Sequence, residues 1–245
     1  MTKFSVNLNK FALLRNARGG NLPDVAAIAR RCIDRGVHGL TVHPRPDERH
    51  ARASDVDMLA ALVARRPSVE LNIEGYPDAR TLALIEKARP RQATLVPDAP
   101  EQLTSDHGWD AAAEGARLRP IIARLHAAGV RVSLFLDPVP AEVEAAAATG
   151  ADRIELYTES WARAHGTPGQ DRELGRFVAA AQRAHELGLG VNAGHDLNLQ
   201  NLAPFLAAVP NVLEVSIGHA FVCEAFDYTL EGTIDRYLAI VNAAG

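Results

Sequence analysis

The stretch from Asp34 to His50, DRGVHGLTVHPRPDERH, holds one full structural transition. Before it, Val25, Ile28, Ala29, Cys32 and Ile33 recur with a helical period, and Gly36 stands where a helix of that register ends. A short apolar run follows from Gly39 to Val42. It opens directly into a polar patch with His43, Arg45, Arg49 and His50. Helix, glycine, buried strand and polar loop form the repeating unit of a parallel α/β protein. The same order returns at HAAGV (126–130), ATGAD (148–152) and ELGLG (186–190), each a glycine leading into a strand. Strands are expected at 4–9, 39–44, 69–75, 92–98, 130–137, 153–158, 189–195 and 213–219. Helical patterns fall between the first two strands and at about 54–65, 78–88, 111–128, 140–149, 171–187, 198–208 and 222–243. The strands read as near-continuous apolar runs, as in a sheet covered on both faces. Eight such units predict an α/β fold, a closed (β/α)8 TIM barrel, with an open doubly wound sheet as the alternative.

The 245 residues suit one barrel over 1–245, and no composition shift marks a second domain. With 47% hydrophobic residues there is material for a large core. A formal net charge of -4 without a dense Lys/Arg run speaks against nucleic-acid or membrane-surface partners. The two cysteines, Cys32 and Cys223, form no CxxC pair, and Cys32 falls on an apolar helical stripe. No leader-like segment or membrane span is read, so the expectation is a soluble cytoplasmic protein.

In (β/α)8 barrels the active site lies at the C-terminal ends of the strands. Here those ends carry Asn7, Asn9 and Lys10, then His43, Arg45 and His50, then Glu74. Arg15 and Arg18 follow the first strand, and Thr104 and Ser105 lie in the long loop after the fourth. Asp137, Glu155, Thr158, Asn192, His195, Gly218 and His219 complete the set. Three of the nine histidines stand at strand ends, whereas His126 and His185 lie in helical patterns and should face solvent. Histidines and a carboxylate around one cavity can move protons near neutral pH. Arginines and the free N–H groups of a helix N-terminus can hold phosphate, as at IGHA (217–220). Arg45 with His50 suggests a second anion site across the mouth, hence two phosphorylated substrates or one bisphosphate. Arg15 and Arg49 read more readily as solvated or paired surface charges than as ligands.

Taken together, VNLNKFALLRNARGG, TVHPRPDERH, NIEG, LVPDAPEQLTSDHGWD, VSLFLDP, IELYT, VNAGHDLN and IGHA resemble the pyridoxine 5'-phosphate synthase family, from about Val6 to Ala220. The resemblance implies a (β/α)8 barrel with extra helices for subunit contacts, typically a homo-octamer. It implies condensation of 1-deoxy-D-xylulose 5-phosphate with 3-amino-2-oxopropyl phosphate to pyridoxine 5'-phosphate, inorganic phosphate and water, without cofactor or metal. By position, His43 and Glu74 would accept protons and His195 would donate one. Asn7, Arg18, Gly218 and His219 would bind the aminoketone phosphate. Arg45, His50 and Thr104 would bind the sugar phosphate, with the loop around Thr104 closing over the mouth.

The chain departs from the family pattern in two places. Asn9 and Lys10 replace an Asp-His pair that contacts the sugar phosphate. They offer a neutral hydrogen-bonding amide and a fixed cation instead. Asp196 stands where glycine follows NAGH, and a carboxylate there would repel a phosphate unless turned away. Two other readings of the residues remain open at this stage. One is a metal-dependent carbon–carbon lyase with His43, His50, Glu74 and His195 as ligands. The other is a phospho-metabolite binding protein without catalysis.

Overall fold

The computed structural model describes residues 1–98, 102 and 105–244. Eight parallel strands close in sequence order: β1 (Lys3–Asn7), β2 (Gly39–Val42), β3 (Glu70–Gly75), β4 (Gln92–Leu95), β5 (Arg131–Leu136), β6 (Arg153–Tyr157), β7 (Gly190–His195) and β8 (Val212–Ile217). Pairing of β8 with β1, through Lys3–Glu214 to Val6–Ile217, shuts the ring and excludes the open sheet. The helices are α1 (Asn9–Asn16), α2 (Val25–Asp34), α3 (Ala53–Val63), α4 (Ala79–Ala88) and α5 (Ala111–Ala127). They continue with α6 (Pro140–Ala147), α7 (Glu159–Ala164), α8 (Gln170–Glu186), α9 (Leu202–Ala208) and α10 (His219–Ala243).

Two helices were not separated in the sequence reading. Helix α1 starts immediately after β1, so the expected strand to residue 9 ends at Asn7. The short α7 follows β6. These are the extra helices of the barrel, since each precedes the helix that leads to the next strand. Helix α9 is shorter than its pattern and α10 begins at His219, three residues earlier than expected. Within α10, Thr229 adopts φ 64° and breaks the helical run.

The outward strand residues and the inner helix faces form the apolar core, including Phe4, Leu40, Ile73, Leu134, Phe177 and Phe205. Cys32 packs there, fully buried, and burial pushes its thiol up to about 12. His126 and His185 are exposed, as their positions predicted.

The inward face differs from the expected apolar runs. At the N-terminal end of the barrel, Lys3, Glu70, Arg131, Arg153 and Glu214 form a linked set of ion pairs across β1, β3, β5, β6 and β8. Above them, Asn192 Nδ2 donates to Gln92 Oε1 at 3.3 Å and Ser5 Oγ lies 2.8 Å from Thr41 Oγ1. Thr94 Oγ1 lies 3.1 Å from Asn72 Oδ1. The strands therefore alternate mostly apolar outside and polar inside, and many of the inward groups meet partners on other strands. This fits the two-residue side-chain period of a strand.

Arg15 is a second correction. It is buried on α1, not on the surface, and its guanidinium donates to both oxygens of Asp55 on α3 at 2.6 and 2.9 Å. Arg15 Nε donates to Asn16 Oδ1 at 3.1 Å, and Asn16 Nδ2 donates to the carbonyls of Glu48, Arg49 and His50. One buried ion pair thereby fixes the loop that delivers His50. Asp55 also accepts from the backbone N–H of Arg52 at 2.8 Å, which caps α3. Asp55→Ala should strand the Arg15 charge in a dry setting and destabilise the fold by about 3–5 kcal/mol. Urea denaturation of the variant against the wild type measures this, and a loss under 1 kcal/mol would contradict it.

Candidate active site

A cavity of about 450 Å³ opens at the C-terminal ends of the strands. Asn7, Asn9, Lys10, His43, Arg45, His50 and Glu74 line one part of it, and His195, Asp196, Gly218 and His219 another. Of the residues proposed from the sequence, these eleven converge. Arg18 does not: it lies exposed beyond the end of α1 and is not among the lining residues. Thr104 lies outside the described residues. Ser105, Tyr157, Glu159 and Ser216 also line the cavity. The sequence reading missed Tyr157, Glu159 and Ser216. Inward alternation from Glu155 to Tyr157 and from Ser216 to Gly218 was the signal that could have found the first and last.

The lower wall is built from β1 to β3. Asn7 Nδ2 donates to Glu74 Oε2 at 3.3 Å, while Asn7 Oδ1 accepts the N–H of Asn9 at 3.0 Å. Asn9 Oδ1 in turn accepts the N–H of His43 at 2.8 Å. Asn9 thus fixes the backbone of a site histidine, a task that needs only an acceptor. Glu74 is 3% exposed. Burial, with Asp98 as a like charge, lifts its carboxyl to about 7 against the opposing pull of Arg45 and Asn7. A carboxyl in that range exchanges protons near neutral pH.

Arg45 is buried and paired with Asp98, and its Nη1 donates to the Gln102 carbonyl at 3.0 Å. Ser105 Oγ donates to the same Asp98 oxygen at 2.7 Å. The guanidinium has five donors, so it retains capacity for an anion. His50 is 8% exposed, and its Nδ1 has no partner among the described residues. Burial together with Lys10, Arg49 and Arg45 lowers its ring to about 4. A neutral, buried imidazole nitrogen among three cations is a place for a polar anionic ligand.

On the opposite wall, His195 ends β7 with φ 84°, a left-handed backbone that a non-glycine residue adopts at a cost. Its ring packs on Phe135, with centroids 4.5 Å apart, and Nδ1 lies 3.8 Å from Glu155 Oε1. Burial and Arg45 lower His195 to about 4, and His43 is likewise held well below the usual imidazole range by burial and neighbouring cations. Both are neutral at neutral pH. Glu155 is 1% exposed, and burial, with Glu74 and Glu214 as like charges, raises its carboxyl well above the ordinary range. It sits beside His195 as a carboxyl biased toward its protonated form. Gly194 permits this, because a Cβ there would come within 2.4 Å of Glu155 Oε1.

Gly218 caps the N-terminus of α10 and His219 begins it; both line the cavity, with Asn7 beside Gly218. A helix N-terminus of this kind favours an anion. Among the described residues no three His, Cys, Asp or Glu side chains are grouped to hold a metal ion, so the ligand set of the lyase reading is not assembled.

A (β/α)8 barrel with buried carboxyls and imidazoles around one cavity at the C-terminal ends of its strands defines a barrel protein with an acid–base site. The comparisons give the family. Residues 4–243 match the model of the pyridoxal phosphate biosynthesis protein PdxJ, and the chain belongs to that family. A Xanthomonas campestris pv. campestris relative named pyridoxine 5'-phosphate synthase is 56% identical over 247 residues, covering 98% of this chain and 96% of the relative. One from Albidiferax ferrireducens with the same name is 51% identical, covering 98% and 97%. Among solved structures, phosphoribosyl anthranilate isomerase from Thermotoga maritima superimposes with a TM-score of 0.62 at 12% identity, covering 99% of this chain and all of that one. At that identity the likeness concerns the barrel alone.

If His50 marks an anion site, inorganic phosphate should raise its pKa from about 4 toward the ordinary value near 6.5. Imidazole NMR titration with and without phosphate reads this directly. An unchanged His50 curve at saturating phosphate would remove it from the anion site.

Proposed function

We propose that the chain is a pyridoxine 5'-phosphate synthase. It condenses 1-deoxy-D-xylulose 5-phosphate with 3-amino-2-oxopropyl phosphate to pyridoxine 5'-phosphate, inorganic phosphate and water. The carrying observation is that Glu74, poised near 7, shares one cavity with two neutral imidazoles and two anion-accepting corners. The sugar phosphate sits at Arg45 and His50, beside Lys10. The aminoketone phosphate sits at Gly218 and His219, beside Asn7. Its amine adds to the sugar ketone and water leaves as the imine forms. Carbon-bound protons are then removed, phosphate departs, and an aldol-type closure with further loss of water completes the ring.

These steps need acids and bases on different faces of one intermediate. Glu74 and His43 accept protons from the β2–β3 side. His195 donates from β7. Burial, and after it Arg45, opposes its protonation. Phosphate on Arg45 offsets that charge and brings the imidazolium within reach. The Glu155 carboxyl packs behind it, 3.8 Å from Nδ1. A cytoplasmic location and a homo-octamer belong to the same proposal. The exposed Leu13, Leu14, Phe226 and Tyr228 on α1 and α10 provide apolar surface for subunit contacts.

Incubating the purified protein with both substrates should yield pyridoxine 5'-phosphate, and absence of product would refute the assignment. Glu74→Gln should stay folded and lose at least ~100-fold in turnover. In the wild type, kcat/KM should fall as pH drops below about 7, because protonation removes the base, and Glu74→Gln should abolish that limb. Single-turnover kinetics divide the histidines: His43→Asn and His195→Asn should stall at different intermediates, whereas His50→Asn should mainly raise the sugar-phosphate KM. Stalling of both at one step would contradict this division.

A further inference from the structure

The mouth carries opposite charges on opposite sides. Lys10, Arg45 and His50 line the β1–β2 side, while Tyr157, Glu159 and Asp196 line the β6–β7 side. The main chain of Asp196 is fixed. Its N–H donates to Thr158 Oγ1 at 3.3 Å, and its carbonyl accepts from Asn201 Nδ2 at 3.1 Å. Its carboxylate has no hydrogen bond or ion pair among the described residues. The Glu159 carboxylate meets Arg163 at 3.4 Å, and that arginine side chain is 80% exposed, so the pairing is weak. Burial and the neighbouring Glu159 raise the Asp196 carboxyl, with His219 opposing. A wall of this kind is relieved by a cation.

An independent observation points to a ligand at the same wall. Ser216 is 5% exposed and lines the cavity, yet its hydroxyl has no partner among the described residues. It stands opposite Gly194 in the β7–β8 ladder, next to the segment that carries Asp196. A buried hydroxyl without a partner is costly unless a bound molecule supplies one.

We infer that Asp196, Glu159 and Ser216 form an ammonium subsite, which receives the protonated amine of a small amino-phosphate whose phosphate sits at Gly218 and His219. The inference rests on the proposed function and names the part of the site that tells the amino substrate from the sugar phosphate. Asp196, Gly218 and His219 line the same cavity, so one small molecule can present its amine to Asp196 and its phosphate to the α10 N-terminus. Asp196 thus recognises the amine and does not crowd the phosphate.

The test compares 3-aminopropyl phosphate with propyl phosphate by calorimetric titration at neutral pH. The two share a phosphate and differ by the ammonium group. Wild-type protein should bind the amine at least ~10-fold more tightly, the scale of one charge-assisted hydrogen bond. Asp196→Asn should bring the ratio near one while propyl phosphate binding holds or improves, and Ser216→Ala should weaken only the amine. In turnover, Asp196→Asn should raise the aminoketone-phosphate KM by a similar factor and leave the sugar-phosphate KM alone. Equal wild-type binding of the two probes, failure of both to bind, or an unchanged ratio in Asp196→Asn overturns the subsite. If the ratio behaves as stated but no pyridoxine 5'-phosphate forms, the subsite stands and the assigned reaction falls.

Discussion

Closing eight parallel strands turns alternate side chains into one narrow column, and in this barrel the column is mostly polar. That constraint governs much of the rest. At the bottom, Lys3, Arg131 and Arg153 offset Glu70 and Glu214. In the middle, amides and hydroxyls from β1, β2, β3, β4 and β7 bond to one another. At the top, Glu74, Glu155 and His43 have fewer partners and little water, so their protonation departs from the solution values. A buried polar network is favourable only where its members are satisfied. The incompletely satisfied end is where a ligand belongs.

The site shows how one low-dielectric setting produces different protonation states. Desolvation disfavours charge, so it raises carboxyls and lowers imidazoles together. Glu74 and Glu155 are both deeply buried, yet Glu74 has Arg45 and Asn7 to favour its anion. Glu155 has only Thr94 on that side. The two carboxyls therefore separate, Glu74 lifted to about 7 and Glu155 pushed well above the ordinary range. A phosphate entering this field changes it, because it adds negative charge where arginine and lysine now act alone.

Much of the fold was legible because its signals are local. Glycines at 36, 129, 150 and 188 adopt positive φ after helices α2, α5, α6 and α8, and each marked a strand start in the sequence. Helix α1 was hidden because it follows β1 with one intervening residue, so two periods run together. The site was legible at His43, Glu74 and His195, which end or follow strands and carry unusual chemistry for such positions. Arg15 was not, because its role depends on Asp55, forty residues away, and a lone arginine carries no sign of burial. Ser216 escaped for a related reason: an ordinary serine becomes informative only when its hydroxyl is seen to lack a partner.

The engagement of Arg45 has a thermodynamic consequence. Its guanidinium ties to Asp98 and to the carbonyl of Gln102, and Ser105 ties to the same Asp98. An anion that draws on this arginine competes with the tether of the segment after β4. Occupancy of the cavity and the position of that segment are then linked functions. Whatever free energy the anion takes from the tether must reappear, by reciprocity, as a shift in anion affinity whenever the segment is held in place by other means.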